Sequence, residues 1–213
     1  MLQMFKRIKK REIQKSYEKD DTNEFQKRII HDYANQLNCI QGLLRCGQYQ
    51  KALQYVEKLT CSFYDGVDAI DVHNPVINVI LNQKYHRAEE KGVAMSFQIN
   101  DLAKLWMEDI DTVILLSNLL DNAIEASEMS AGKKIIEMKM ILEKKHLILS
   151  VKNTVDKPVD IQDNSISTKK KDKNNNGIGL KNVQRVLDKY DGIGMMRYEK
   201  GWFRYTISIP ENN

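Results

Sequence analysis

The sequence predicts an α-helical hairpin followed by an α+β sandwich, and three observations carry that expectation. A proline-free stretch with apolar residues at helical spacing is interrupted at Gly47-Gln48 and then resumes. His73-Asn74-Pro75 marks a change of character, because proline in a first helical turn behind an asparagine cap starts a helix. Beyond it, helical and strand-like runs follow in the order expected of helices packed on one face of a mixed sheet.

From Leu2 to about Cys46 the only glycine is Gly42, and Ile30, Ala34, Leu37, Gln41 and Leu44 form a stripe flanked by Tyr33 and Ile40. That periodicity predicts one long amphipathic helix whose stripe is its packing face. A second pattern runs through Ala52, Leu53, Val56, Leu59 and Phe63, so the short turn implies an antiparallel hairpin. Two helices alone offer too little partner surface, which predicts a homodimeric four-helix bundle. The second part reads as a helix from Pro75 to about Glu90, a strand from Val93 to Ile99, a helix from about Glu108 to Glu128, and strands from Lys134 to Leu142 and His146 to Asn153. The polar stretch from Asp156 to Asn176 is expected to be a loop without structure of its own, a length that suits a functional lid. A helix from Ile178 to about Tyr190 and strands from Gly194 to Glu199 and Trp202 to Ile209 complete the pattern.

The chain has 213 residues, 42% of them hydrophobic and 29% charged, the composition of a globular protein rather than a disordered one. Cys39, Cys46 and Cys61 lack the spacing of a disulfide framework or a zinc site, so reduced thiols in a cytoplasmic protein are expected. The longest apolar runs, such as Thr112 to Leu120, are far short of a membrane span, and no signal-peptide pattern opens the chain. The basic start (Lys6, Arg7, Lys9, Lys10, Arg11) suits a juxtamembrane segment or a solvated helix face equally. No direct nucleic-acid partner is expected. A link to the bacterial cell membrane is expected only through a sensor region ahead of residue 1.

Three motifs carry chemistry. His31-Asp32-Tyr33-Ala34-Asn35 puts a histidine one residue off the apolar stripe. Neutral imidazole there is a nucleophile near pH 7, and the adjacent carboxylate can hold one ring nitrogen or take its proton. Asn118, Asn122 and Glu125 fall three or four apart in Asn118-Leu119-Leu120-Asp121-Asn122-Ala123-Ile124-Glu125-Ala126. They share one helix face, where hard oxygens suit Mg²⁺, and asparagine is a poor helix former that asks for a reason. In Asn174-Asn175-Asn176-Gly177-Ile178-Gly179-Leu180, two glycines end a loop and begin a helix. That arrangement lets backbone amides approach a phosphate. It is neither a Walker A loop nor a dinucleotide fingerprint.

In this order the motifs resemble those of the sensor histidine kinases, and more closely the AgrC-type branch with its His-Asp-x-x-Asn box, known for quorum sensing. The resemblance covers about Phe25 to Pro210 and implies a Bergerat-type ATP fold, shared with gyrase and MutL. It matches His31 to Asn35 with the phosphoacceptor box, Asn118 to Ala126 with the N box, and Gly177 to Leu180 with the second glycine box. It further implies a signal-transmitting helix over 1–23, a dimerisation and phosphotransfer hairpin over 24–72, and a catalytic ATP-binding domain over 73–213.

The roles implied by matched position are phosphorylation of His31, acid/base orientation by Asp32, and Mg²⁺ coordination by Asn122. Asn118 would contact phosphate or metal, Gly177, Gly179 and Leu180 would border the phosphates, and Asn35 completes the first box. Glu125 stands where many of these kinases carry a basic residue. The expected cofactors are ATP and Mg²⁺, and the expected partners are a second copy of the chain and a response-regulator receiver domain, with Asn35, Asn38 and Gln41 as docking candidates. The first glycine box departs from the wider pattern: Val151-Lys152-Asn153-Thr154 stands where an aspartate is expected. Asn153 can still accept from the adenine amino group through its amide oxygen, with a weaker bond than a charged acceptor gives. Ser167-Thr168-Lys169-Lys170-Lys171 resembles the lid of this branch, which would place Lys169 and Lys170 over the phosphates. Two rivals remain: a phosphotransferase or scaffold that lost ATP use, favoured by Asn153, and a gyrase-like clamp, opposed by the histidine-bearing hairpin.

Overall fold

The computed structural model describes residues 27–60, 70–156, 158, 161–162, 165–166 and 178–211. The chain divides into two units, residues 1–65 and 66–213.

The first unit is helical over 27–45 (α1) and Tyr49–Thr60 (α2). Gly47, at φ 68°, lets the chain turn. Its N–H donates to the Leu44 carbonyl while that of Gln48 donates to the Leu43 carbonyl, a left-handed glycine cap that satisfies the last carbonyls of α1. The seam within this unit is half-buried Gln36, Ile40 and Leu43 on α1, with buried Ala52 and half-buried Tyr55 and Val56 on α2. The stripe expected to be the packing face is therefore on the outside: Ile30 is 67% and Leu37 65% exposed, and Ala34, Gln41 and Leu44 are exposed as well. One helical pair covers only a narrow strip of each helix, and α1 is apolar over a wider arc than that. Phe63 and Cys61 lie outside the described residues, and Cys39 and Cys46 are exposed free thiols.

The second unit has three helices, α3 (Pro75–Glu90), α4 (Asp109–Glu128) and α5 (Ile178–Lys189), among its described residues. They cover one face of a five-stranded sheet built from β1 (Ala94–Ile99), β2 (Ile135–Glu143), β3 (His146–Thr154), β6 (Ile193–Glu199) and β7 (Trp202–Pro210), in the order β1-β2-β3-β7-β6. β1 pairs with β2 in parallel, and the remaining neighbours are antiparallel. Strand residues alternate between the helical layer and the open face, so Ile136, Met138, Met140, Leu147, Leu149, Val151, Tyr205, Ile207 and Ile209 are buried. They meet Ile77, Leu81, Leu115, Leu116, Leu120 and Ile124 of α3 and α4, and Val183 and Leu187 of α5, in one core. This is the expected α+β sandwich, with element ends within a residue or two of those read from the sequence.

Asn74 caps α3 through its Oδ1, which accepts from the Ile77 N–H at 3.1 Å, and Pro75 follows in the first turn. The segment ahead of it already belongs to this unit: Ile70 N–H donates to Asn82, Val72 N–H to Asn78, and Val72 is buried. The stretch read as a structureless loop contains a two-stranded piece, β4 (Ile161–Gln162) with β5 (Ser165–Ile166), paired Ile161 to Ile166. Among the described residues no helix is long and apolar enough to cross a membrane.

Candidate functional site

In the first unit, α1 holds His31 with its side chain 74% exposed. The Asp32 Oδ1 lies 3.5 Å and the Asn35 Nδ2 3.2 Å from its Nδ1. Asn35 reaches the ring because residues four apart stand on one helix face. Asp32 and Asn35 of the first box thus stand at the same ring nitrogen of His31, Nδ1.

In the second unit, α4 is divided among three environments. Leu115, Leu116, Leu119, Leu120, Ala123 and Ile124 enter the core. Asp121 turns toward α3, where Lys84 Nζ lies 2.8 Å and Arg87 Nη1 2.6 Å from its Oδ1. Asn118 and Asn122 form the third face and meet the start of α5. A Cβ added at Gly179 would stand 2.9 Å from Asn118 Oδ1 and 3.6 Å from Asn122 Nδ2. Two motifs some 60 residues apart are therefore in contact, and only glycine fits at the contact without displacement. Asn118 is fixed by its Nδ2, which donates to the Ile114 carbonyl at 2.6 Å. Asn122 and Glu125 are exposed and have no side-chain partner among the described residues. Leu180 is half-buried against the core. Gly177, Lys169 and Lys170 lie outside the described residues.

Asn153 sits near the end of β3, 2% exposed, and faces the helical layer. Its Nδ2 donates to the Thr154 carbonyl at 3.2 Å, and Ser127 Oγ of α4 stands 3.5 Å from the same carbonyl. Thr154 Oγ1 accepts from the Ile135 N–H, and Asp156 accepts from Ser130 Oγ and the Ala131 N–H, each at 2.6 Å. The turn after α4 and the exit of β3 are thereby tied around Asn153.

One group of residues escaped the sequence reading. Asp111, at the start of α4, accepts from Lys189 Nζ at 2.6 Å and Tyr190 O–H at 2.8 Å through Oδ2. Lys189 also reaches Glu108 at 3.1 Å, and the Glu108 N–H donates to the Tyr190 oxygen. Burial pushes the Asp111 carboxyl up, but the hydrogen bonds from Lys189 and Tyr190 outweigh it and leave it below the usual range. The hydrogen bond to Asp111, with that to Glu108, raises the Lys189 ammonium; burial raises the Tyr190 phenol. These partners are 78 and 79 positions apart, and no local spacing announces them. They fasten the end of α5 to the beginning of α4, and so fix how the helix bearing Gly179 lies along the helix bearing the amides.

Residues 107–210 match the GHKL domain, and residues 12–64 match the α-helical domain of SpoOB-type sensor kinases. The sensor histidine kinase DcuS of Escherichia coli is 28% identical over 193 residues, 84% of this chain and 34% of its own length. The sensor protein CitS of Bacillus subtilis is 25% identical over 195 residues, 85% of this chain and 35% of its own. The chain spans about a third of the length of these relatives. Among solved structures, the histidine kinase AdeS of Acinetobacter baumannii superposes with a TM-score of 0.50 at 16% identity, covering 86% of this chain and 98% of that one. The catalytic domain of the histidine kinase ThkA gives 0.50 at 19%, covering 63% and 92%. The fold is that of a histidine-kinase GHKL domain preceded by a helical domain, and the chain is homologous to sensor histidine kinases of the DcuS and CitS type.

Proposed function

We propose that this chain, as a homologue of sensor histidine kinases, is a two-component kinase core that transfers the γ-phosphoryl group of ATP to His31 and passes it on to a response-regulator aspartate. The observation that carries this reading is the contact of Gly179 with Asn118 and Asn122. It joins the start of a helix, a natural seat for phosphates, to two carboxamides that offer hard oxygens to Mg²⁺.

The residues fit Mg-ATP. Asn122 is exposed beside the glycine, its amide without a partner among the described residues, and it would ligate the metal. Asn118 would contact phosphate or metal through Oδ1. Gly177, Gly179 and Leu180 would border the phosphates, with Lys169 and Lys170 closing over them. Asn153 would accept from the adenine amino group. When bound, ATP supplies the phosphoryl group and Mg²⁺ neutralises its charge.

His31 would attack through Nε2 in the tautomer whose Nδ1–H faces the Asp32 carboxylate; the Asn35 Nδ2, itself a donor, would then leave Nδ1. As the Nε2–phosphorus bond forms and the bond to the leaving diphosphate breaks, the Nδ1 proton passes to the Asp32 carboxylate or to water. The exposed stripe through Ile30, Leu37 and Leu44 supports a homodimeric four-helix bundle, and Asn35, Asn38 and Gln41 would meet the receiver domain. We take the boundaries as 1–23 for signal transmission, 24–65 for the phosphotransfer hairpin and 66–213 for catalysis, since Ile70 and Val72, read from the sequence as the end of the hairpin, are bonded into the second unit. The His-Asp-x-x-Asn box and Asn153 support the AgrC-type branch, and with it a role in quorum sensing. ATP supply places the reaction in the cytoplasm, beneath a membrane sensor.

The test is incubation with γ-labelled ATP and Mg²⁺, comparing wild type with His31→Gln and Asn122→Ala. The expected result is acid-labile, alkali-stable label, absent from both variants. No label from ATP, combined with ready acceptance of phosphate from a phosphorylated receiver domain, would replace this reading with an ATP-independent phosphotransferase, the alternative that Asn153 favours.

A further inference from the structure

The open face of the sheet carries a charge arrangement that the fold does not require. Cross-strand register sets Lys152 of β3 opposite Arg204 of β7, and Arg204 opposite Arg197 of β6. Three cations therefore stand in one row, about 4.8 Å from strand to strand, although like charges directly opposite destabilise a sheet. The ends of the row are compensated. Lys152 bonds Glu137 at 2.8 Å and lies over the Trp202 ring at 3.8 Å, and Arg197 is 3.6 Å from Glu199. Arg204, in the middle, is exposed and has no ion pair among the described residues.

Two cavities of about 350 and 260 Å³ meet at this row and share Lys152 and Arg204 in their walls. Lys139 adds a further cation to the first, and Trp202 an aromatic wall to the second. Alongside runs an apolar row in which Ile148 and Ile193 flank Ser208 in register, with Met195 between it and the cations. Ile193 is 74% and Met195 66% exposed.

We propose that this face docks an acidic amphipathic helix of a partner protein, its carboxylates on Lys152, Arg204 and Arg197 and its apolar stripe on Ile148, Ile193 and Met195. Carboxylates one helical turn apart are separated by about 5–6 Å, close to the strand spacing that separates the cations. The parallel apolar row calls for an apolar stripe on the ligand. The concavity suits a protruding rod rather than a flat bilayer. The surface lies on the side of the sheet away from the α4 and α5 amides and glycine, so docking does not depend on the kinase reading.

The test uses the full chain and a synthetic helical peptide with glutamates on one stripe and leucines on the adjoining stripe. Its probes are Trp202 fluorescence and amide shifts of β3, β6 and β7. Binding is expected to weaken as salt rises, to fall about tenfold in Arg204→Glu and in the edge-strand variant Arg197→Glu, and to persist in His31→Gln. A scrambled peptide of the same composition should bind about tenfold more weakly. The proposal fails if either charge reversal leaves the affinity unchanged in a protein that melts like wild type. It fails also if the scrambled peptide binds equally well, or if anionic phosphatidylglycerol vesicles shift these strands while the peptide does not.

Discussion

Gly179→Ala is the sharpest perturbation of the proposed nucleotide site. The new methyl would stand 2.9 Å from Asn118 Oδ1, 3.7 Å from its Cγ and 3.6 Å from Asn122 Nδ2. Asn118 cannot simply swing away, because its Nδ2 is tied to the Ile114 carbonyl at 2.6 Å. Overpacking of this kind costs about 1–3 kcal/mol, and breaking the Asn118 hydrogen bond about 0.5–1.5 kcal/mol. Alanine near a helix start recovers up to about 1 kcal/mol over glycine. The net loss of stability is therefore modest, a few degrees in melting temperature.

The effect on nucleotide should be larger. A displaced amide forfeits a hydrogen bond to a charged group, about 1.5–3 kcal/mol, so Mg-ATP should bind roughly ten- to a hundredfold more weakly. Displacement of a fluorescent ATP analogue, measured beside thermal melts, reads both quantities. A stability cycle with Asn118→Ala isolates the clash, because the cost of Gly179→Ala should vanish once the colliding oxygen is gone. Wild-type nucleotide affinity in Gly179→Ala, or the same melting penalty in both backgrounds, would refute the reasoning.

Three further outcomes follow from the supporting structure. Asp121→Ala leaves the buried Lys84 ammonium without its carboxylate; breaking a buried pair costs about 3–5 kcal/mol, and the partial exposure of Asp121 reduces this to about 2–4 kcal/mol, readable by urea unfolding. Gly194→Ala would drive a Cβ to 2.7 Å from the oxygen of the buried Tyr205, so a loss of about 1–3 kcal/mol is expected in the same assay. The Asp111 carboxyl is held below its usual value. Its contribution is present above the unfolded pKa, about 3.9, and is lost as pH falls through the lower folded value. Acid melts of wild type should therefore steepen below about pH 4 relative to Asp111→Asn, and superimposable profiles would exclude a clamp of that kind.

The strands, the three helices of the second unit and the shared face of Asn118 and Asn122 were legible because each rests on local periodicity or a local cap, whereas the order of strands in the sheet was not read from the sequence. Asn74-Pro75 announces α3, and the spacing of Asn118 and Asn122 sets both on one side of α4 whatever packs there. The clamp among Asp111, Lys189 and Tyr190 was not legible, since its geometry exists only after α4 and α5 have packed. The outward turn of the Ile30, Leu37 and Leu44 stripe within the single chain was not legible for a related reason. Periodicity says that a face is apolar, but which apolar residues a two-helix unit buries depends on where the second helix lies. The same is true of the cationic row. Lys152, Arg197 and Arg204 are unremarkable in sequence and become neighbours only through the register of β3, β7 and β6.

Asn153 is where sequence and structure together decide how an ATP site could work without the usual aspartate. The residue is buried, and its Nδ2 is spent on the Thr154 carbonyl, which leaves Oδ1 as the group able to accept from adenine. Asn153→Asp removes that donor, leaves the Thr154 carbonyl only the Ser127 hydroxyl at 3.5 Å, and sets a buried carboxylate without a donor beside it. Without nucleotide the variant should be less stable by about 1–3 kcal/mol, the cost of an unsatisfied buried group. With adenine present, the new bond is charge-assisted and roughly twice as strong as the neutral one. The two effects point in opposite directions: the free protein should melt earlier, while the rise in melting temperature on adding Mg-ATP should exceed that of wild type. A packing role alone predicts only the first change. If the rise produced by nucleotide is unchanged or smaller in Asn153→Asp, the adenine contact belongs to another residue.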